Sequence, residues 1–188
     1  EVARPAGAGL REARMMKRAL APLLLLLGTS AAHAATDGQS FDQISRGRYL
    51  ATVGDCAACH TTPGEKPYAG GRPLATPFGT LLAPNLTPDR ETGIGDWSDD
   101  QFVDALRIGR GHGGGHLYPA MPYTYYTKVT RDDALAIRAY LATLEPVRNK
   151  VIANQLPFPF SIRLSMAAWN QLFFTPGTFK PIAGKSAD

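Results

Sequence analysis

Cysteine is nearly absent from this chain: 188 residues contain two, Cys56 and Cys59, three positions apart. The one disulfide they could form closes a ring too short to constrain much of the chain, so cross-linking is not what holds the fold. Long apolar runs are also missing. The run from Ala19 to Leu27 is about half of the roughly twenty residues needed to span a bilayer. Lys17 and Arg18 precede it and Ala32-His33-Ala34 follows it, the pattern of a secretory leader cut after Ala34. The chain opens on Glu1, and the residues before Met15 read as lying upstream of the leader's start. A basic excess is lacking as well once the leader is removed. Five of the twenty basic and two of the sixteen acidic residues precede Ala35, leaving fifteen against fourteen. No run of Lys or Arg is interleaved with aromatics, which argues against a nucleic-acid partner. Repeats and low-complexity tracts are absent. What remains is one exported domain of 154 residues, long enough to bury roughly two-thirds of its surface.

Strand patterning is the next absence. Proline and glycine crowd residues 63 to 97, with no sustained alternation that would argue for a sheet. The expected fold class is therefore all-α, with long irregular loops between few helices. The first helix is expected from about Phe41 to Val53, with Phe41, Ile44, Tyr49, Leu50 and Val53 mostly on one side. Gly47 inside it lowers helix propensity by about 1 kcal/mol, which suggests close approach to another backbone. The second begins at Ser98, where Gln101 completes a capping box, and runs out at Gly109. The third begins at Thr130, with Asp132 and Asp133 in its first turn, and Pro146 closes it. Its apolar stripe is expected to cross the first helix at Gly47. The segment from Ile162 to Phe174 reads as a short helix ending before Pro176. The expected organisation is a leader over 1–34, a domain over 35–150, and an extension over 151–188 that packs on the domain or on a partner.

The two cysteines stand in Cys56-Ala57-Ala58-Cys59-His60. Two thiols three apart on one helical turn can each form a thioether to a haem vinyl group, and the adjacent imidazole is aimed at the iron. Ala57 and Ala58 are small enough to leave the porphyrin edge clear. Rival readings are weaker. A thioredoxin-like redox pair wants a βαβ context, and the neighbouring segments read as helix and loop. Zinc would recruit His112 and His116, but His112 lies 53 positions beyond Cys59, far more than the roughly 12 to 15 of a finger.

A haem on His60 leaves the opposite iron position to fill. Met121 in "LYPAMPY" is the candidate, because Pro119 and Pro122 hold this strap extended. His112 and His116, in the glycine-rich "GRGHGGGHLY", are competing ligands on a more flexible mount. Trp97 is expected to pack on the haem or to donate its indole N–H to a propionate. Arg107 and Arg110 either pair with a propionate or complement the helix dipole. Tyr123, Tyr125 and Tyr126 are expected to wall the haem crevice. Asp89, Glu91 and Asp96 lack the spacing of a calcium loop and read as turn acids.

The stretches "RGRYLATVGDCAACHT", "TPFGTLLAPNLTPDRETGIGDWSDDQFVDALRIG", "HLYPAMPY" and "FPFSIRLSMAAWNQLFF" together resemble one haem domain of the cytochrome c subunits of membrane-bound alcohol and gluconate-type dehydrogenases. The resemblance covers most of residues 45 to 175. It implies a cytochrome c fold around one covalent haem, with His60 as proximal and Met121 as distal ligand. Those subunits carry three haem motifs and a C-terminal anchor, whereas one motif stands here, so a single-haem relative is expected. The expectation is thus an exported, periplasmic one-electron carrier, not an enzyme. It would take electrons from a dehydrogenase, pass them to a cytochrome or oxidase, and sit peripheral to the membrane through a partner. The alternatives are a haem-based enzyme or ligand sensor in which Met121 dissociates, and a zinc-structured Cys2His2 interaction domain.

Overall fold

Capping and one glycine explain most of the helical frame. The structure is a computed structural model and describes residues 40–180. The leader, its cleavage site and residues 181–188 lie outside the described residues. Helix α1, Phe41–Val53, starts where the Ser40 hydroxyl accepts from the Gln43 N–H at 3.1 Å. After the single-turn α2, Cys56–His60, the next long helix is α3, Asp99–Ile108. Ser98 and Gln101 cap α3 reciprocally, and Gly109 ends it in the left-handed region at φ 64°. A side chain at Gly109 would also meet the ring of Tyr123, from the short α4, Tyr123–Tyr126. Helix α5, Arg131–Ala142, opens on Thr130, whose hydroxyl accepts from the Asp133 N–H at 3.1 Å.

The crossing of α1 and α5 falls at the position expected from the sequence. Gly47 is buried, and a Cβ built on it would lie 1.8 Å from the backbone oxygen of Ala136. The two helices are therefore in backbone contact. Beside the crossing, Arg46 and Asp133 pair at 2.5 Å, and the guanidinium holds the Asp133 carboxyl below its usual range. The core between α1, α3 and α5 is built from Ala51, Phe102, Leu106, Ala134, Ile137 and Leu141. Tyr68 joins it and meets Tyr140 edge-on at 6.1 Å.

The all-α expectation needs one correction. Strands β1, Pro73–Thr76, and β2, Gly79–Leu82, form an antiparallel hairpin with Thr76 opposite Gly79. Four-residue strands are too short for alternation to register in a sequence, and this pair relies on a distant segment. Gln155 exchanges two backbone hydrogen bonds with Thr80, at 3.0 and 2.8 Å. The fold is thus helical with one small hairpin.

From residue 147 onward the chain runs back across the domain. Asn85 donates to the Val147 carbonyl at 2.7 Å, and the Asn154 side chain accepts from the Leu82 N–H at 2.9 Å. Tyr118 donates to the Phe160 carbonyl at 3.0 Å, and Tyr123 to the Asn170 side chain at 2.6 Å. Helix α6, Ser165–Phe173, follows, with Leu172 and Phe173 exposed. Among the described residues no helix is long and apolar enough to cross a membrane.

Candidate functional site

The turn between α1 and α2 sets the geometry of the cysteine motif. Asp55 takes a left-handed conformation, φ 50°, and the Tyr126 hydroxyl ties the turn down by donating to the Gly54 carbonyl at 2.5 Å. The five residues of α2 then make one helical turn, which brings Cys56 and Cys59 to the same side and buries His60. Both cysteines are free thiols. Burial pushes the Cys56 thiol up to about 11, so it stays protonated at neutral pH.

His60 is oriented by its backbone and by its ring. Its carbonyl accepts from the Gly70 N–H at 2.9 Å, and its Nδ1 lies 2.8 Å from the Pro84 carbonyl. A carbonyl only accepts, so Nδ1 carries the proton and Nε2 keeps its lone pair. Burial pulls the imidazole pKa down, against the opposing pull of the Pro84 hydrogen bond. The ring is therefore neutral, the form in which imidazole binds a metal.

Cys56, Cys59 and His60 open onto a cavity of about 710 Å³, which Met121 and Trp97 also line. Its walls are mainly apolar and include Leu81, Ile94, Phe102, Leu106 and Ile137. The size and the apolar lining are those of a cofactor site. The donor set agrees with them: two thiols on one turn for covalent attachment, a neutral imidazole, and a thioether. These residues fit a c-type haem. Met121 is half-buried on the strap, where its N–H donates to the Tyr118 carbonyl at 3.0 Å and its carbonyl accepts from the Tyr123 N–H at 2.8 Å.

Other residues singled out in the sequence lie elsewhere. His112 is exposed and stacks on Trp97 with ring centres 5.4 Å apart, and His116 meets the Asn170 side chain at 2.9 Å. Neither lines the cavity. Among the described residues no three His, Cys, Asp or Glu side chains converge on a metal position, so the zinc arrangement has no geometry behind it. Arg107 reaches the Thr127 carbonyl at 3.4 Å, and Arg110 is exposed. Of the three tyrosines only Tyr126 lines the cavity. Tyr123 is fully buried beneath α6, and Tyr125 is 76% exposed, because α4 turns them in different directions. Asp89 accepts from the Thr92 N–H at 2.6 Å, Asp96 pairs with Arg90 at 2.6 Å, and Glu91 pairs with Arg148.

One part of the cavity wall was not expected. Val151, Ile152, Asn154, Leu156 and Arg163, all from the C-terminal extension, line it. A lone arginine inside the apolar "FPFSIRL" is the one sequence signal that could have pointed there.

The family model described as Cytochrome c matches residues 44–145. A subunit of the nicotinate dehydrogenase of Pseudomonas putida is 49% identical over 144 residues, covering 77% of this chain and 12% of that one. The gluconate 2-dehydrogenase cytochrome c subunit of Pantoea cypripedii is 45% identical over 85% of this chain and 36% of its own length. The fructose dehydrogenase cytochrome subunit of Gluconobacter japonicus is 41% identical, over 80% and 32%. The chain thus spans 12 to 36% of the length of these relatives.

Proposed function

The chain belongs to the cytochrome c family, and from that premise we propose that it carries one haem, joined to Cys56 and Cys59 and ligated by His60 and Met121, and acts as a one-electron carrier. The observation that carries this reading is the meeting of those four side chains in one apolar cavity. When bound, the haem iron would supply a one-electron couple. The Pro84 carbonyl fixes the plane and tautomer of His60, which leaves the Nε2 lone pair for the iron. A thioether from Met121 favours the reduced iron and raises the potential relative to a second imidazole. The apolar walls keep water away, which limits the reorganisation that electron transfer requires. Trp97 adds a flat wall.

The relatives are named as dehydrogenase subunits, which supports a dehydrogenase as donor; in this reading that donor is periplasmic or membrane-bound, and a cytochrome or oxidase is the acceptor. The same reading places residues 35–150 as the haem domain and 151–188 as an extension on it. It also places the protein in the periplasm, exported by the leader and peripheral to the membrane through a partner.

Carbon monoxide distinguishes this carrier from a ligand sensor or haem enzyme. With both axial positions filled, the reduced protein is expected to leave its absorption spectrum unchanged under carbon monoxide. The M121A variant is expected to bind the gas stoichiometrically. Ready binding by the parent protein would replace the carrier with a sensor or enzyme whose Met121 dissociates.

A further inference from the structure

The charges around the cavity are few and unevenly placed. Among its lining residues Asp55 is the one carboxylate, and it adjoins Cys56 at the thiol end. Arg163 is the one permanently cationic side chain, and it comes from the C-terminal extension, beyond the residues 44–145 that match the family model. Its guanidinium is held in place at two points. Nη1 donates to the His116 carbonyl at 2.9 Å, and the planar group lies over the Tyr118 ring, 5.0 Å from its centre. The platform is fixed in turn, because the Tyr118 hydroxyl donates to the Phe160 carbonyl at 3.0 Å. A guanidinium has five N–H donors, and one is engaged at His116. Among the described residues the other donors have no hydrogen-bond partner, which leaves them for a ligand.

Haem carries its vinyl groups on one edge and its two propionates on the opposite edge. Thioethers at Cys56 and Cys59 would direct the propionates away from the thiols and from the Asp55 carboxylate. An anion entering an apolar cavity needs a counter-charge or donors, and arginine meets a carboxylate with two parallel hydrogen bonds. Asn154 and Ser161 also line the cavity from the same extension.

We propose that Arg163 holds a haem propionate, which makes the C-terminal extension part of the cofactor site. The proposal rests on the one-haem reading above. Its consequence is electrostatic. An unpaired carboxylate stabilises the oxidised, more positive iron, and Arg163 offsets that effect, so the pair raises the reduction potential.

The test uses the full chain, produced with a c-type haem attachment system, as R163Q and R163K. Covalent haem in both variants is expected to equal that of the parent by denatured mass. In a mediated redox titration R163Q is expected to lose about tenfold in its one-electron equilibrium constant, a shift of ~59 mV to lower potential. R163K, which keeps the charge, is expected to stay within about twofold of the parent. Parent-like potential in R163Q would overturn the proposal, and so would an equal fall in R163K, which would reveal a packing role against Tyr118. If R163Q carries no haem, R163H supplies the comparison within one chain. Its potential is expected to fall away from the parent's as pH rises through about 6.5, the ordinary imidazole pKa. Parallel curves would overturn the proposal. A parent chain without covalent haem would instead sink the reading on which it rests.

Discussion

Serine at both Cys56 and Cys59 is expected to abolish covalent haem: after denaturation in acid, the variant's mass should be that of polypeptide alone. The two thiols are the only ones in the chain, so no other side chain can form a thioether. Serine keeps the size of the side chain and the turn of α2, but its hydroxyl does not add to a vinyl group under the conditions that join a thiol. Haem in this variant would depend on His60 and Met121, whose bonds to iron break when the chain unfolds. Before denaturation, the variant should also lose haem to a competing apoprotein, because the tether that keeps the local haem concentration high is gone. The single C59S variant separates the two sulfurs: it should keep one thioether and thus keep its haem through denaturation. Haem that stays attached to the double variant would place the covalent link elsewhere.

Gly47→Ala is expected to produce the largest loss of stability of any single methyl added to the helical frame. In an exposed helix that change would stabilise by about 1 kcal/mol, because alanine is the better helix former. Here the new Cβ would lie 1.8 Å from the Ala136 carbonyl oxygen, and what it meets is backbone of α5 rather than a side chain that can swing aside. α1 and α5 would have to separate and open the packing of Ala51 against Ala134 and Ile137. Overpacking of this kind costs about 1–3 kcal/mol and more where the neighbour cannot yield, so the net sign is destabilising. Urea unfolding midpoints measure it. Gly113→Ala is the control, since a Cβ there meets nothing within 4 Å. It should stay within about 0.5 kcal/mol of the parent. A G47A chain as stable as the parent would mean that the crossing is looser than the structure has it.

What could be read from the sequence is what local chemistry determines. The reciprocal cap of Ser98 and Gln101, the Thr130 cap and the Gly109 stop place α3 and the start of α5, because each acts within a few residues. Gly47 announced a helix crossing because nothing local explains a glycine in the middle of α1. The cysteine motif was legible for a similar reason: its spacing makes sense on a single helical turn. The structure brings Cys56, Cys59, His60, Trp97 and Met121 to one cavity. The hairpin was hidden, since Thr80 takes its outer partner from Gln155, far along the chain. The tyrosines following Met121 looked alike in sequence and were separated by the direction of α4, with Tyr126 facing the cavity and Tyr125 facing solvent. Arg163 was overlooked because a cavity wall supplied by a returning tail leaves no local pattern. The tautomer of His60 depends likewise on a distant group, the Pro84 carbonyl.

The denatured mass of the exported protein, produced beside a c-type haem attachment system, decides whether Cys56 and Cys59 carry a haem. The expected mass is that of the chain from Ala35 plus one haem. Bare polypeptide would contradict it and leave Cys56 and Cys59 as thiols in search of another ligand.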